Sequence, residues 1–275
     1  MHNRPTLLSS LMRGALLMPH LAYGMALAIV YPHLTTGRRR RLLKSWSKRL
    51  LSILHIGIQI EGTQPARSDG ACLIVANHVS WLDSLVLNAI HPSRFITDLE
   101  VRNWPLIGWL CQRGGSIFVE RAMRPHANSV NRRIETLLQQ GTCVTLFPEG
   151  PATDGRQVGH FHSALIQPAI DAGIRLCPIA LRYQDMDGQR SDHAAFIGDM
   201  TLPRSVWRML RSPRFNALLV FTPALTTAGA NRRVLARTAQ EAIAQELKRT
   251  TTQRYLQPDT PAEQSSPLLT EPSIL

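Results

Sequence analysis

Twenty-four consecutive residues, Gly14 to Gly37, carry no Lys, Arg, Asp or Glu. The stretch is rich in Leu, Ala, Met and Val. It is also long enough to cross a hydrocarbon core, which takes about 20 apolar residues. Seven basic residues follow between Arg38 and Arg49, four of them in the run Arg38 to Arg41. A secretory leader fits poorly, because no small-residue cleavage site stands at that junction. Pro19, His20, Pro32 and His33 interrupt a simple span. In "RRRRLLKSWSKRLLSILHI", Leu42, Leu43, Trp46, Leu50, Ile53 and Leu54 fall largely on one helical stripe, with basic residues over much of the rest. That is the pattern of a helix lying on anionic lipid. Two arrangements stay open: one span with a basic cytoplasmic flank, or a bent pair of helices held in one leaflet. Two buried core helices are the third option, and the arginine run, with no acidic partners nearby, speaks against it. Residues 1–54 are therefore read as an anchor in the inner (cytoplasmic) membrane, with the rest of the chain facing the cytoplasm.

From residue 55 the texture changes. "HIGIQIEG", "ACLIVA", "RFITDL", "SIFV", "CVTLFP" and "LCPIALRY" read as strands, and Asn216 to Phe221 as another. Between them lie helical stretches over Trp81 to Ile90, Pro125 to Gln140 and Ser163 to Asp171, with a last one near Asn231 to Arg249. "WPLIGWLCQRG" is a short helical or loop piece. This alternation predicts an α/β domain over residues 55–249, built on a mixed, partly parallel sheet flanked by helices. The tail, 250–275, has four prolines and little periodicity and is expected to be disordered.

The net charge of +12 favours anionic partners. Nucleic acid is the lesser candidate. The basic residues cluster around the hydrophobic N-terminus and in "RSVWRMLRSPR", where Trp207, Met209 and Leu210 interleave, a mixture that suits a lipid interface. Cys72, Cys111, Cys143 and Cys177 sit among apolar residues with no C-x-x-C pair and read as buried reduced thiols. No Cys/His cluster has metal-ligand spacing, so no metal is expected.

The chemistry concentrates in "ANHVSWLD". His78 and Asp83 follow an apolar strand, where strands hand over to helices and α/β proteins place their sites. Five residues on one continuous helix would turn the two side chains roughly 140° apart. They meet only if His78 lies in the turn and Asp83 in the helix. A carboxylate bonded to one ring nitrogen would then leave the other free to accept a proton. Taken alone, the pair reads equally as Asn77 capping a helix, His78 in a loop and Asp83 solvated.

Three further stretches follow in order: "GSIFVER", "FPEG" and "CPIAL". With "NHVSWLD" they resemble the four motif blocks of the glycerolipid acyltransferases, and most of all the 1-acylglycerol-3-phosphate acyltransferase family. The resemblance covers roughly residues 55 to 225, and an N-terminal membrane-binding segment is also typical of that family. It implies His78 as general base and Asp83 as the residue that orients it. It also implies Arg121 as the donor that grips the acceptor's phosphate, with Gly115, Phe118, Glu149 and Gly150 at the acceptor site. The co-substrate would be acyl-CoA or acyl carrier protein, with no further cofactor. There is no G-x-S-x-G elbow, which agrees with a nucleophile supplied by the substrate. The chain departs from the family pattern at Pro151, where the block usually continues with Thr, and at Asp98, where many members carry a nearby lysine. Both changes subtract positive charge or a donor near the head-group site.

The leading expectation is transfer to the sn-2 hydroxyl of lysophosphatidate, giving phosphatidate for phospholipid synthesis. The in-family rival acts on another lyso-lipid, such as a lyso-ornithine lipid or a lysophospholipid. The rival from another class is an inactive protein that binds membrane surfaces, for which Pro151 is the support.

Overall fold

The computed structural model describes residues 5–65, 70–119 and 127–253. Among them, seven strands form one sheet: β1 (Ile56–Glu61), β2 (Leu73–Ala76), β3 (Arg94–Asp98), β4 (Ile117–Val119), β5 (Val144–Leu146), β6 (Leu176–Gln184) and β7 (Phe215–Phe221). Their spatial order is β1-β7-β6-β2-β5-β3-β4. Strands β2 to β6 run parallel, β7 is antiparallel to β6, and β1 is parallel to β7. The mixed, partly parallel sheet expected from the alternating pattern is the sheet observed.

Helices cover both faces, which is why the central strands read as continuous apolar runs. All four residues of β2 are fully buried. Ile74 and Ala76 point into one core with α2 (Thr36–Ile53), α3 (Leu82–Ile90) and α7 (Leu202–Leu210). Leu73 and Val75 point into the other, with α5 (Ala127–Gln139), α6 (Gln167–Asp171) and α8 (Arg232–Gln253). A short α4 (Ile107–Gly114) precedes β4. Helix α8 runs past the expected tail boundary at Thr250, and residues 254–275 lie outside the described residues.

The first helix, α1 (Leu7–Val30), with the 3-10 turn that follows, is long and apolar enough to cross a membrane: it runs 27 residues, with a mean hydropathy of 1.5 over an 18-residue stretch. It does not stand alone. Ser10, Arg13, Leu17, His20, Gly24 and Ala28 form a buried stripe. The Arg13 guanidinium donates to the carbonyls of Leu210 and Ser212, each at 3.2 Å. His20 stacks on Trp46 of α2 with ring centroids 5.2 Å apart. A Cβ on Gly24 would sit 2.5 Å from the Trp46 indole nitrogen, so only glycine fits there. The opposite face, with Leu8, Met12, Leu16 and Met18, is exposed. Helix α1 thus docks along α2 and α7.

Two local expectations need correction. Asn77 does not cap α3, whose N-cap position is Trp81. Most of "RSVWRMLRSPR" lies in α7, which buries Ser205, Met209 and Leu210 against the domain and leaves Trp207 exposed. The thiols of Cys72, Cys143 and Cys177 are buried as expected, whereas Cys111 on α4 is only half-buried.

Candidate active site

At the C-terminal end of β2 the chain leaves the sheet, and a side chain takes over from the backbone ladder. The Asn77 amide donates from Nδ2 to the Leu181 carbonyl at 2.8 Å and accepts at Oδ1 from the Leu181 N–H at 2.7 Å. Those two bonds outcompete a helix cap, and they pin the following turn to β6. His78 opens that turn, and Asp83 is the second residue of α3. Their contact follows directly: His78 Nδ1 lies 2.8 Å from Asp83 Oδ2.

Asp83 is completely buried. Its Oδ2 also accepts from the backbone N–H groups of Val79 at 2.7 Å and Ser80 at 2.9 Å. Its Oδ1 accepts from the Tyr183 hydroxyl at 2.7 Å. Four donors thus compensate the burial of one carboxylate, the condition under which a buried charge is tolerated. Burial, and then the Asp83 charge, push the Tyr183 phenol well above its ordinary range, so it stays a donor. With Nδ1 facing a carboxylate, His78 carries its proton there, and Nε2 has its lone pair free. The ring stacks on Phe147, centroids 4.2 Å apart and planes 10° apart, and its side chain is 19% accessible. A base oriented by a buried carboxylate and held against an aromatic ring can take a proton from a bound hydroxyl. Ser80 offers no rival nucleophile. It is buried, and its Oγ accepts from the Leu82 N–H at 3.3 Å.

Glu149 follows β5 and stands beside this dyad in a different state. It is 7% exposed, and neither carboxylate oxygen has a hydrogen-bond partner of normal geometry among the described residues. Burial raises its carboxyl from 4.5 to about 7. The nearby His78 side chain, the backbone at His78 and Gly159, and the Thr153 hydroxyl offset only part of that rise. Gly150 makes the turn back toward Phe147 with φ +92, a left-handed conformation that favours glycine. Pro151 is exposed. Two residues on, Thr153 closes the loop on the dyad. Its N–H and its hydroxyl both donate to the His78 carbonyl, at 2.8 and 3.1 Å.

The structure brings His78, Asp83, Glu149 and Gly150 together and sets other predicted residues apart. Phe118 lies in β4, paired with Thr97. Gly115 precedes β4, at the opposite end of the sheet, where its carbonyl accepts from Arg94 at 3.2 Å. Asp98 ends β3 and caps the 3-10 turn Leu99–Asn103. Arg121 lies outside the described residues. Sequence reasoning missed Tyr183, Phe147 and Thr153. Tyr183 ends an apolar strand, and its hydroxyl was the one available hint. Sequence spacing also gave no metal set, yet donor atoms of Cys72, Cys143 and His91 lie within 4.8 Å of one another. That set could hold a soft divalent ion. It sits at the N-terminal ends of β2 and β5, away from His78.

A model of the acyltransferase family matches residues 57–182. A lyso-ornithine lipid O-acyltransferase of Pseudomonas aeruginosa is 36% identical over 208 residues, covering 76% of this chain and 79% of the relative. A 1-acyl-sn-glycerol-3-phosphate acyltransferase of Neisseria gonorrhoeae is 37% identical over 172 residues, 62% of this chain and 67% of that one. Among solved structures, the 1-acyl-sn-glycerophosphate acyltransferase of Thermotoga maritima shares the fold. Its TM-score is 0.61 at 18% identity, over 87% of this chain and 98% of that one.

Proposed function

Because the chain belongs to the acyltransferase family, we propose that it moves a fatty acyl group from a thioester donor to the free hydroxyl of a lyso-lipid. The acceptor we assign is lysophosphatidate, acylated at sn-2, and the donor is acyl-CoA or acyl carrier protein. The observation that carries the reading is the 2.8 Å contact between His78 and the fully buried Asp83. His78 Nε2 removes the proton as the acceptor oxygen attacks the thioester carbonyl, and the imidazolium so formed faces Asp83. The tetrahedral intermediate collapses, the carbon–sulfur bond breaks, and His78 returns the proton to the departing sulfur. The bare Glu149 carboxyl supports a role in holding the acceptor. Arg121, placed by sequence two residues beyond β4, is assigned to the acceptor phosphate on the family resemblance. The exposed apolar face of α1 and the arginine run after it support attachment to the inner membrane, with the α/β domain on the cytoplasmic side.

A second acceptor is favoured by specific observations. The Pseudomonas relative named for lyso-ornithine lipid covers more of this chain than the Neisseria relative does. The buried, bare Glu149 carboxyl also suits an amine-bearing head group better than a phosphate. Assaying the purified, detergent-solubilised chain on both lyso-lipids, with each donor, tests the assignment. Turnover on lysophosphatidate that disappears in His78→Ala is the expected result. Turnover confined to lyso-ornithine lipid replaces the acceptor, and full turnover in His78→Ala overturns the mechanism.

A further inference from the structure

On the far side of the domain from His78, four arginines face one another. Arg39, Arg94, Arg113 and Arg133 line a cleft of about 440 Å³ with Tyr31 and Trp109, and no carboxylate is among the described residues that line it. The cleft lies at the N-terminal ends of the sheet's edge strands: Arg94 opens β3, and Gly115, also in its wall, precedes β4. His78 and Glu149 follow the C-terminal ends of β2 and β5. This is therefore a second site, independent of which lyso-lipid is acylated.

The arrangement is costly without an anion. Arg94 is half-buried, and its proton affinity is lowered first by burial and then by Arg39 and Arg133; the Tyr31 phenol opposes these only in part. The guanidinia are held by groups that do not cancel their charge. Arg94 donates to the Gly115 carbonyl, Arg39 donates to the Pro32 carbonyl and lies over Tyr31 at 5.7 Å, and Arg113 lies over Trp109 at 5.5 Å. A Cβ on Gly115 would meet an Arg94 nitrogen at 1.8 Å, so the glycine is what lets that guanidinium lie there. Converging, planar guanidinium groups match a phosphate better than any other common anion.

The surroundings identify where that phosphate comes from. Ile29 and Val30, exposed at the end of α1, lead directly into Tyr31 and Pro32, which form one wall of the cleft. Trp109 forms another. Tyrosine and tryptophan beside a long apolar helix mark the boundary between hydrocarbon and water. We propose that this cleft binds the phosphate-bearing head group of an anionic phospholipid of the host membrane, as a docking ligand and not as substrate.

The test uses the full chain in neutral detergent and reads its melting temperature against three probes: short-chain phosphatidylglycerol, short-chain phosphatidylcholine and inorganic phosphate. Phosphatidylglycerol should stabilise the protein at concentrations where the other two do not. Arg113→Gln with Arg133→Gln removes two exposed cations from the cleft; Arg232→Gln with Arg237→Gln removes two exposed cations from α8. An arginine near an anionic lipid contributes roughly fivefold in affinity. The first pair should therefore weaken the phosphatidylglycerol response by roughly 25-fold and the second should leave it unchanged. Equal losses in both pairs overturn the site. An equal response to phosphatidylcholine or to inorganic phosphate overturns the lipid assignment, and so does competition by acyl carrier protein.

Discussion

Asp83 and Glu149 are both buried carboxylates beside the ends of adjacent parallel strands, and they live in opposite surroundings. Four donors from the protein surround Asp83. Among the described residues, neither Glu149 oxygen has a normal hydrogen-bond partner, and its carboxyl is pushed up to about 7. The first network is closed, so it can only hold a neighbour in place. The second is incomplete, and a buried polar group in that state marks where something from outside belongs. On the proposed mechanism, orientation and reception are divided between two acids of one site.

The sharpest way to break this comparison is to open the closed side. Asp83→Asn cannot accept at both oxygens and favours the wrong histidine tautomer. Its kcat should fall by about 10²–10⁴, as should that of His78→Ala, with the fold intact by circular dichroism. Near-normal turnover in Asp83→Asn would mean the pair does not act together.

Next in size is a stability effect on the open side. A carboxyl raised from 4.5 to about 7 costs stability as pH climbs through that window, because the unfolded chain releases its proton first. Glu149→Gln should therefore be the more stable protein above pH 7, by about 3 kcal/mol at most, and the advantage should vanish below about pH 4.5. Denaturant titrations at both ends of the window measure it, and a pH-independent difference would remove the titration from the account.

Tyr183→Phe deletes one donor of four. A lost hydrogen bond to a charged group is worth about 1.5–3 kcal/mol. Because His78 still holds Asp83, kcat should drop only about tenfold with KM unchanged. The loss should shrink when Tyr183→Phe is combined with Asp83→Asn, and full additivity would place Tyr183 outside the network. The smallest change expected is Gly150→Ala. It forces a side chain into φ +92 and should cost about 1 kcal/mol of stability in chemical denaturation.

The division between these acids is only half legible in the sequence. His78 and Asp83 are readable because one strand-to-helix junction carries both, His78 in the turn and Asp83 in the first turn of α3. The strands around them are readable because burial on two faces demands unbroken apolar runs such as "LIVA". Tyr183 is 100 residues from Asp83, and only the pairing of β2 with β6 brings them together. Asn77 misleads because an asparagine before a helix ordinarily caps it. Here the unpaired edge of Leu181 offers its amide two bonds instead of one. The amphipathic, basic pattern of α7 fits a lipid surface and a domain surface alike, and the buried Ser205 and Met209 show that the domain claims one side of it.

The clasp between Asn77 and Leu181 also gives the protein a gauge. Leu181 presents its N–H and its C=O to a single side chain, and that side chain sits directly before the base. The Leu181 amide can exchange its hydrogen with solvent only when the clasp releases, and release frees the turn that carries His78. Two positions further along the same strand, Tyr183 holds the other end of the dyad. The exchange rate of one backbone amide on β6 therefore reads how strongly the closed turn that carries His78 is favoured over the open one.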